Sequence, residues 1–137
     1  MDPLTELIIR HEGLKLHPYR DTNGYLTIGV GRNLDTSGIS ADEAYALLDH
    51  DITRCQLELL PYLWYSNLDE TRRGVIVELT FNVGLTKVLE FKKMITALKL
   101  LDFKTASKEL GESTWATQVG VNRATNMSAR LLTGKYY

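Results

Sequence analysis

The stretch from His11 to Gly31 constrains this chain more than any other. It joins what reads as a helix end to two short extended runs through an Asn-Gly turn. Asp2-Pro3 reads as an N-cap followed by proline at the first helical position. Leu4, Leu7, Ile8 and His11 then recur at helical spacing, and Gly13 is the expected stop, so the spacing predicts a helix over about 3–12 with Glu12 in or just after its last turn. Leu14 to Tyr19 reads as a short edge strand, because Pro18 cannot donate to a ladder. Asp21-Thr22-Asn23-Gly24 supplies the positive-φ residues a hairpin turn needs. Tyr25 to Gly31 reads as the return strand, with two glycines marking bends, and Asn33 to Gly38 reads as loop.

Downstream the pattern turns helical. Ser40-Ala41-Asp42-Glu43 is a capping box, and Ala44, Leu47, Leu48, Ile52, Cys55 and Leu59 form an apolar stripe that ends before Pro61. Asn67, with Glu70 three residues on, is expected to open the next helix, faced by Leu68, Val75, Ile76, Leu79 and Val83 and stopped at Gly84. Shorter helices are expected near 86–100, 102–111 and 121–132. The expected fold is α+β: a hairpin lobe over about 13–39, a connecting helix over about 41–60, and a helical lobe over about 66–137 to which the helix 3–12 returns.

At 137 residues the chain is long enough to bury one stable core. A net charge of −1 gives little general attraction to nucleic acid or to anionic membrane, although residues 104–137 carry five Lys/Arg against two Glu. The single Cys55 has no internal disulfide partner and reads as a core thiol. The N-terminus lacks a long apolar run, so neither a signal peptide nor a membrane anchor is expected. His11, His17 and His50 lack metal-ligand spacing, and neither a metal nor any other cofactor is expected.

Chemistry concentrates in the hairpin segment. Glycoside hydrolysis needs a protonated acid on the leaving oxygen and a second carboxylate that activates water or attacks carbon. Glu12 suits the acid: a helix C-terminus and apolar neighbours both disfavour its charge. Asp21, on a solvated turn, suits the base, and the Thr27 hydroxyl is placed to orient water. Taken singly, each has an ordinary explanation, as a helix-end carboxylate, an Asx-turn residue and a strand threonine.

Together these residues resemble the phage-type lysozymes of glycoside hydrolase family 24. In that family a Glu, an Asp nine positions later and a Thr six beyond it form the catalytic set, and Glu12, Asp21 and Thr27 match in type and spacing. The likeness continues through Asp42–Ile52, Asp69–Arg73, Phe81–Gly84, Trp115, Asn122-Arg123 and Leu132–Gly134. It implies a lysozyme-like fold and a muramidase that inverts configuration, with Glu12 as acid and Asp21 acting through a water held by Thr27. It also implies a substrate contact from Asn82 beside Phe81, peptidoglycan glycan strands as the partner of a monomeric enzyme without stable membrane insertion, and a role in bacterial host lysis. Made in the host cytoplasm, such an enzyme would reach the wall through a holin-type lesion. The weighed alternatives are a lytic transglycosylase, against which Asp21 and Thr27 argue, and a non-catalytic peptidoglycan-binding phage component.

The chain departs from the family at several points. Arg32 stands where the family usually has a His paired with an Asp on the connecting helix, matched here by Asp51, so an Arg32–Asp51 pair is expected. Segment 32–41 is shorter than in the T-even phage enzyme, which reduces one expected wall of the cleft. Thr114 and Asn23 replace a charge pair that reaches across it.

Overall fold

The structure, a computed structural model, describes residues 1–136. It divides into two compact units, residues 1–47 and the residues from 48 onward.

In the first unit, α1 (Pro3–Glu12) starts where expected: the Asp2 side chain accepts the Thr5 amide at 3.0 Å, and Gly13 at φ 77° closes the helix. Hydrogen bonds from Thr5 hold the Asp2 carboxyl below its usual range. A three-stranded antiparallel sheet follows in the order β1 (Lys15–Arg20), β2 (Leu26–Gly29), β3 (Arg32–Asn33). Pro18 lies on the edge strand β1, whose ladder to β2 is irregular between Lys15 and Tyr19. The return strand is shorter than the sequence implied. The chain turns at Gly29–Gly31, and Arg32–Asn33, expected to lie at the edge of a loop, pairs back with Ile28 and Thr27. Beyond it, Asp35 accepts the Leu26 amide at 2.7 Å and so ties the following loop to β2.

The capping box forms as read: Glu43 N donates to Ser40 Oγ at 3.1 Å and Ser40 N to Glu43 Oε1 at 3.0 Å, opening α2 (Ala41–Leu59). The predicted stripe is only partly realised. Cys55 and Leu59 are buried and Ile52 packs against the core, whereas Leu47 and Leu48 are exposed. α1 belongs to the first unit with the hairpin, and none of its residues is buried.

The second unit holds the core. Short α3 (Leu63–Ser66) precedes α4 (Glu70–Val83), followed by α5 (Leu85–Val88), α6 (Lys92–Lys99), α7 (Phe103–Gly111), α8 (Thr114–Val119) and α9 (Val121–Thr133). Leu59, Ile76, Leu79, Met94, Leu98, Leu110, Met127 and Leu131 are fully buried. Asn67 does not open α4; it ends α3, and the N-cap is Asp69, whose carboxylate accepts the Arg72 amide at 3.2 Å. The helix expected over 86–100 divides at Phe91, a partly buried residue packed against the core, and α8 had no counterpart in the sequence reading. Cys55 is buried as expected, and burial pushes its thiol pKa upward. No described helix is long and apolar enough to cross a membrane.

Candidate active site

The three residues singled out in the hairpin segment all lie in the first unit. Glu12 is the last residue of α1, exposed rather than enclosed by the apolar neighbours the sequence suggested. Its carboxylate lies against the turn between β2 and β3: a methyl group placed on Gly31 would sit 2.9 Å from Glu12 Oε2 and 3.2 Å from its carboxyl carbon.

Asp21 is fixed by its turn. Its Oδ1 accepts the amides of Asn23 and Tyr25, each at 2.9 Å, while the backbone closes through Asp21 N to Tyr25 O at 2.9 Å and Gly24 N to Asp21 O at 3.0 Å. The ordinary Asx-turn role is therefore real, and it uses one carboxylate oxygen. Among the described residues Oδ2 has no hydrogen-bond partner.

Thr27 sits on central strand β2, opposite Tyr19 and Asn33, and is the buried side chain of this sheet at 3% exposure. Its hydroxyl donates to the Tyr25 carbonyl at 2.9 Å. Tyr25 thus joins the two residues: its amide holds Asp21 and its carbonyl takes the Thr27 proton. A hydroxyl whose proton is committed presents only lone pairs to a further partner. The site is one frame, with Asp21 and Thr27 fastened through Tyr25 and Glu12 laid on the turn that follows β2.

Arg32 has a partner within its own unit. Arg32 Nη1 meets Glu43 at 2.8 Å and donates to the Gly38 carbonyl at 3.2 Å, while Asp51 pairs with Arg54 at 3.3 Å. Both outcomes are local. The capping box already delivers the Glu43 carboxylate to the start of α2, and Arg54 lies one helical turn beyond Asp51. Hydrogen bonds from Arg32 and from Ser40 pull Glu43 down to about 2, and the same pair raises Arg32. Glu43 was legible as a cap but not as an ion-pair partner. Gly31 under Glu12 and the Asp35 tether were not foreseen, since both depend on chain reversal at Gly29.

In the second unit Phe81 is exposed on α4 and lines a groove of about 890 Å³ with Tyr65, Arg73, Glu78, Arg123 and Tyr136. Asn82 accepts the indole N–H of buried Trp115 at 2.8 Å, so its carbonyl oxygen is committed to the fold and its amide nitrogen is left for other partners.

The sequence profile of the family described as phage lysozyme matches residues 9–130, which encloses the whole constellation. The chain is 29% identical over 161 residues to "Probable T4-type lysozyme 1" of Dictyostelium discoideum, covering 96% of this chain and 94% of that protein. It is 28% identical over 109 residues to the "SAR-endolysin" of Bacteriophage PS34, covering 77% of this chain and 64% of that protein. The "Pre-baseplate central spike protein Gp5" of Enterobacteria phage T4 is 26% identical over 161 residues, covering 96% of this chain but 28% of that longer protein. With a family match running through nearly all of its length, the chain belongs to the phage lysozyme family.

Proposed function

We propose that this lysozyme-type peptidoglycan hydrolase cleaves the β-1,4 bond between N-acetylmuramic acid and N-acetylglucosamine with inversion. Glu12 protonates the leaving glycosidic oxygen. Asp21 takes a proton from an attacking water through Oδ2, the oxygen its turn leaves unused. That water donates its other hydrogen to Thr27 Oγ1, which can only accept because its own proton is held by the Tyr25 carbonyl. With both hydrogens directed, the water's lone pair is free to approach the anomeric carbon from the face opposite the leaving group. The observation that carries this reading is the sharing of Tyr25 between Asp21 and Thr27. Asn82 and Phe81 contribute contacts to the glycan.

The enzyme acts as a monomer in host lysis, made in the bacterial cytoplasm and admitted to the wall by a holin-type lesion. Its near-neutral charge makes that encounter less dependent on ionic strength than a strongly basic enzyme's would be.

Clearing of a peptidoglycan suspension, with mass analysis of the fragments, tests the reading. Hydrolysis gives products heavier by one water than the anhydro sugars of a transglycosylase. Glu12→Gln is expected to abolish clearing while leaving the thermal transition in place. Anhydro products, or full clearing by Glu12→Gln, would overturn it.

A further inference from the structure

We infer that Gly31 is a positioning residue for Glu12, held in register by the Arg32–Glu43 pair. This inference rests on the assignment of Glu12 as the acid. Gly31 has φ 69°, in the left-handed region, and the Glu12 side chain lies along it, with Oε2, the carboxyl carbon and Cγ at 2.9, 3.2 and 3.4 Å from where a Cβ would stand. Two demands therefore meet at one residue: a backbone angle that side chains rarely adopt, and a Cβ position on which the Glu12 carboxylate already lies, so that a side chain there must push the carboxylate aside. The absent Cβ defines where the carboxylate rests.

Arg32 follows immediately. Its guanidinium reaches the start of α2 through Glu43 and the loop carbonyl of Gly38, which ties β3 and the turn before it to that helix. The sequence offers an internal control. Gly29 has nearly the same angle, φ 70°, yet a Cβ there would meet nothing within 4 Å. Alanine at either position carries similar backbone strain, but only at Gly31 does it also displace the acid.

The experiment compares Gly31→Ala with Gly29→Ala by thermal transition, kcat and KM on soluble peptidoglycan fragments. Equal lowering of Tm is expected, with kcat reduced on the order of 10²-fold in Gly31→Ala alone and KM nearly unchanged, as for a misplaced catalytic group. Equal kcat in the two variants would overturn the inference. Should Gly31→Ala fail to fold, Arg32→Ala serves: a fall in kcat at constant KM, partly recovered by Arg32→Lys, supports the inference, and wild-type kcat in Arg32→Ala overturns it. Glu12→Gln, run alongside, separates the two levels. An active Glu12→Gln sinks the assignment of the acid; an inactive one beside indistinguishable glycine variants sinks only the positioning role.

Discussion

Arg32 and Glu43 meet at 2.8 Å at the start of α2, and the same carboxylate accepts the Ser40 amide at 3.0 Å. Arg32 hydrogen bonding is the largest influence on Glu43, followed by the two bonds with Ser40, and together they draw it from an ordinary 4.5 to about 2. A carboxyl whose pKa is lower in the folded chain contributes stability above its unfolded value and loses it as pH falls through the folded one. The Tm difference between wild type and Glu43→Gln should therefore be full above pH 4.5 and should close as pH approaches 2. A constant difference across that window would show that the charged pair contributes nothing. Arg32→His moves the dependence to neutral pH. A histidine paired with Glu43 has a raised pKa, so its contribution is present below about pH 6.5 and is lost as pH rises through the folded value. The parent should show no such loss.

Arg72 fastens the end of α9. Its Nε donates to the Leu131 carbonyl at 2.7 Å and its Nη2 to the Leu132 carbonyl at 2.8 Å, while Nη1 meets Asp69 at 3.0 Å and the guanidinium lies 3.5 Å over the Phe103 ring. The last carbonyls of a helix lack internal partners, so this side chain caps α9 from α4. Arg72→Ala should destabilise the protein by about 2–3 kcal/mol, read by denaturant unfolding. Lysine cannot reproduce the planar fork. Arg72→Lys should recover less than half of the loss; full recovery would reduce the interaction to simple charge.

Asn82 gives a way to divide folding from binding. Its carbonyl oxygen satisfies the Trp115 indole, and removing it strands a buried donor, at a cost of about 1–3 kcal/mol. Asn82→Asp keeps the acceptor and replaces the amide nitrogen that the proposed function gives to substrate. The expected pattern is lower stability for Asn82→Ala, near-native stability for Asn82→Asp, and a raised KM in both. An unchanged KM in Asn82→Asp would confine the residue to its structural role.

Local signals carried much of this fold. Asp2 with Pro3, Ser40 with Glu43, and Gly84 each mark a boundary because the physics of a cap lies within one turn of chain. Asn67 misled because two candidate caps stand two residues apart, and the geometry of the Arg72 amide selects Asp69. The candidate residues stood out through type and spacing, but their fastening was not legible. That Tyr25 joins Asp21 to Thr27 depends on turn hydrogen bonding, and that Glu12 lies on Gly31 depends on where β2 ends. The Arg32–Glu43 pair was not legible for a similar reason. It needs the capping box to deliver the Glu43 carboxylate and the β2–β3 turn to return Arg32 to it.

Burial is distributed very unevenly along the described residues. Among the described residues every buried apolar side chain lies between Cys55 and Leu131, whereas Thr27 is the one buried side chain among residues 1–47. Segments with few buried apolar contacts open locally at free energies well below that of global unfolding. The amides of α1 and of the β1–β2 ladder should therefore exchange with solvent through such openings, with rates that respond weakly to low concentrations of denaturant. The amides of Ile76, Leu79, Leu98 and Leu110, on helices that supply the core, should exchange only as the whole core unfolds and should respond steeply. Residue-resolved hydrogen exchange across a denaturant series separates the two classes. Protection of Thr27 and Ile28 equal to that of Ile76 and Leu79 would mean that the hairpin shares the stability of the core, and that the apolar side chains exposed around it are covered under the conditions of the measurement.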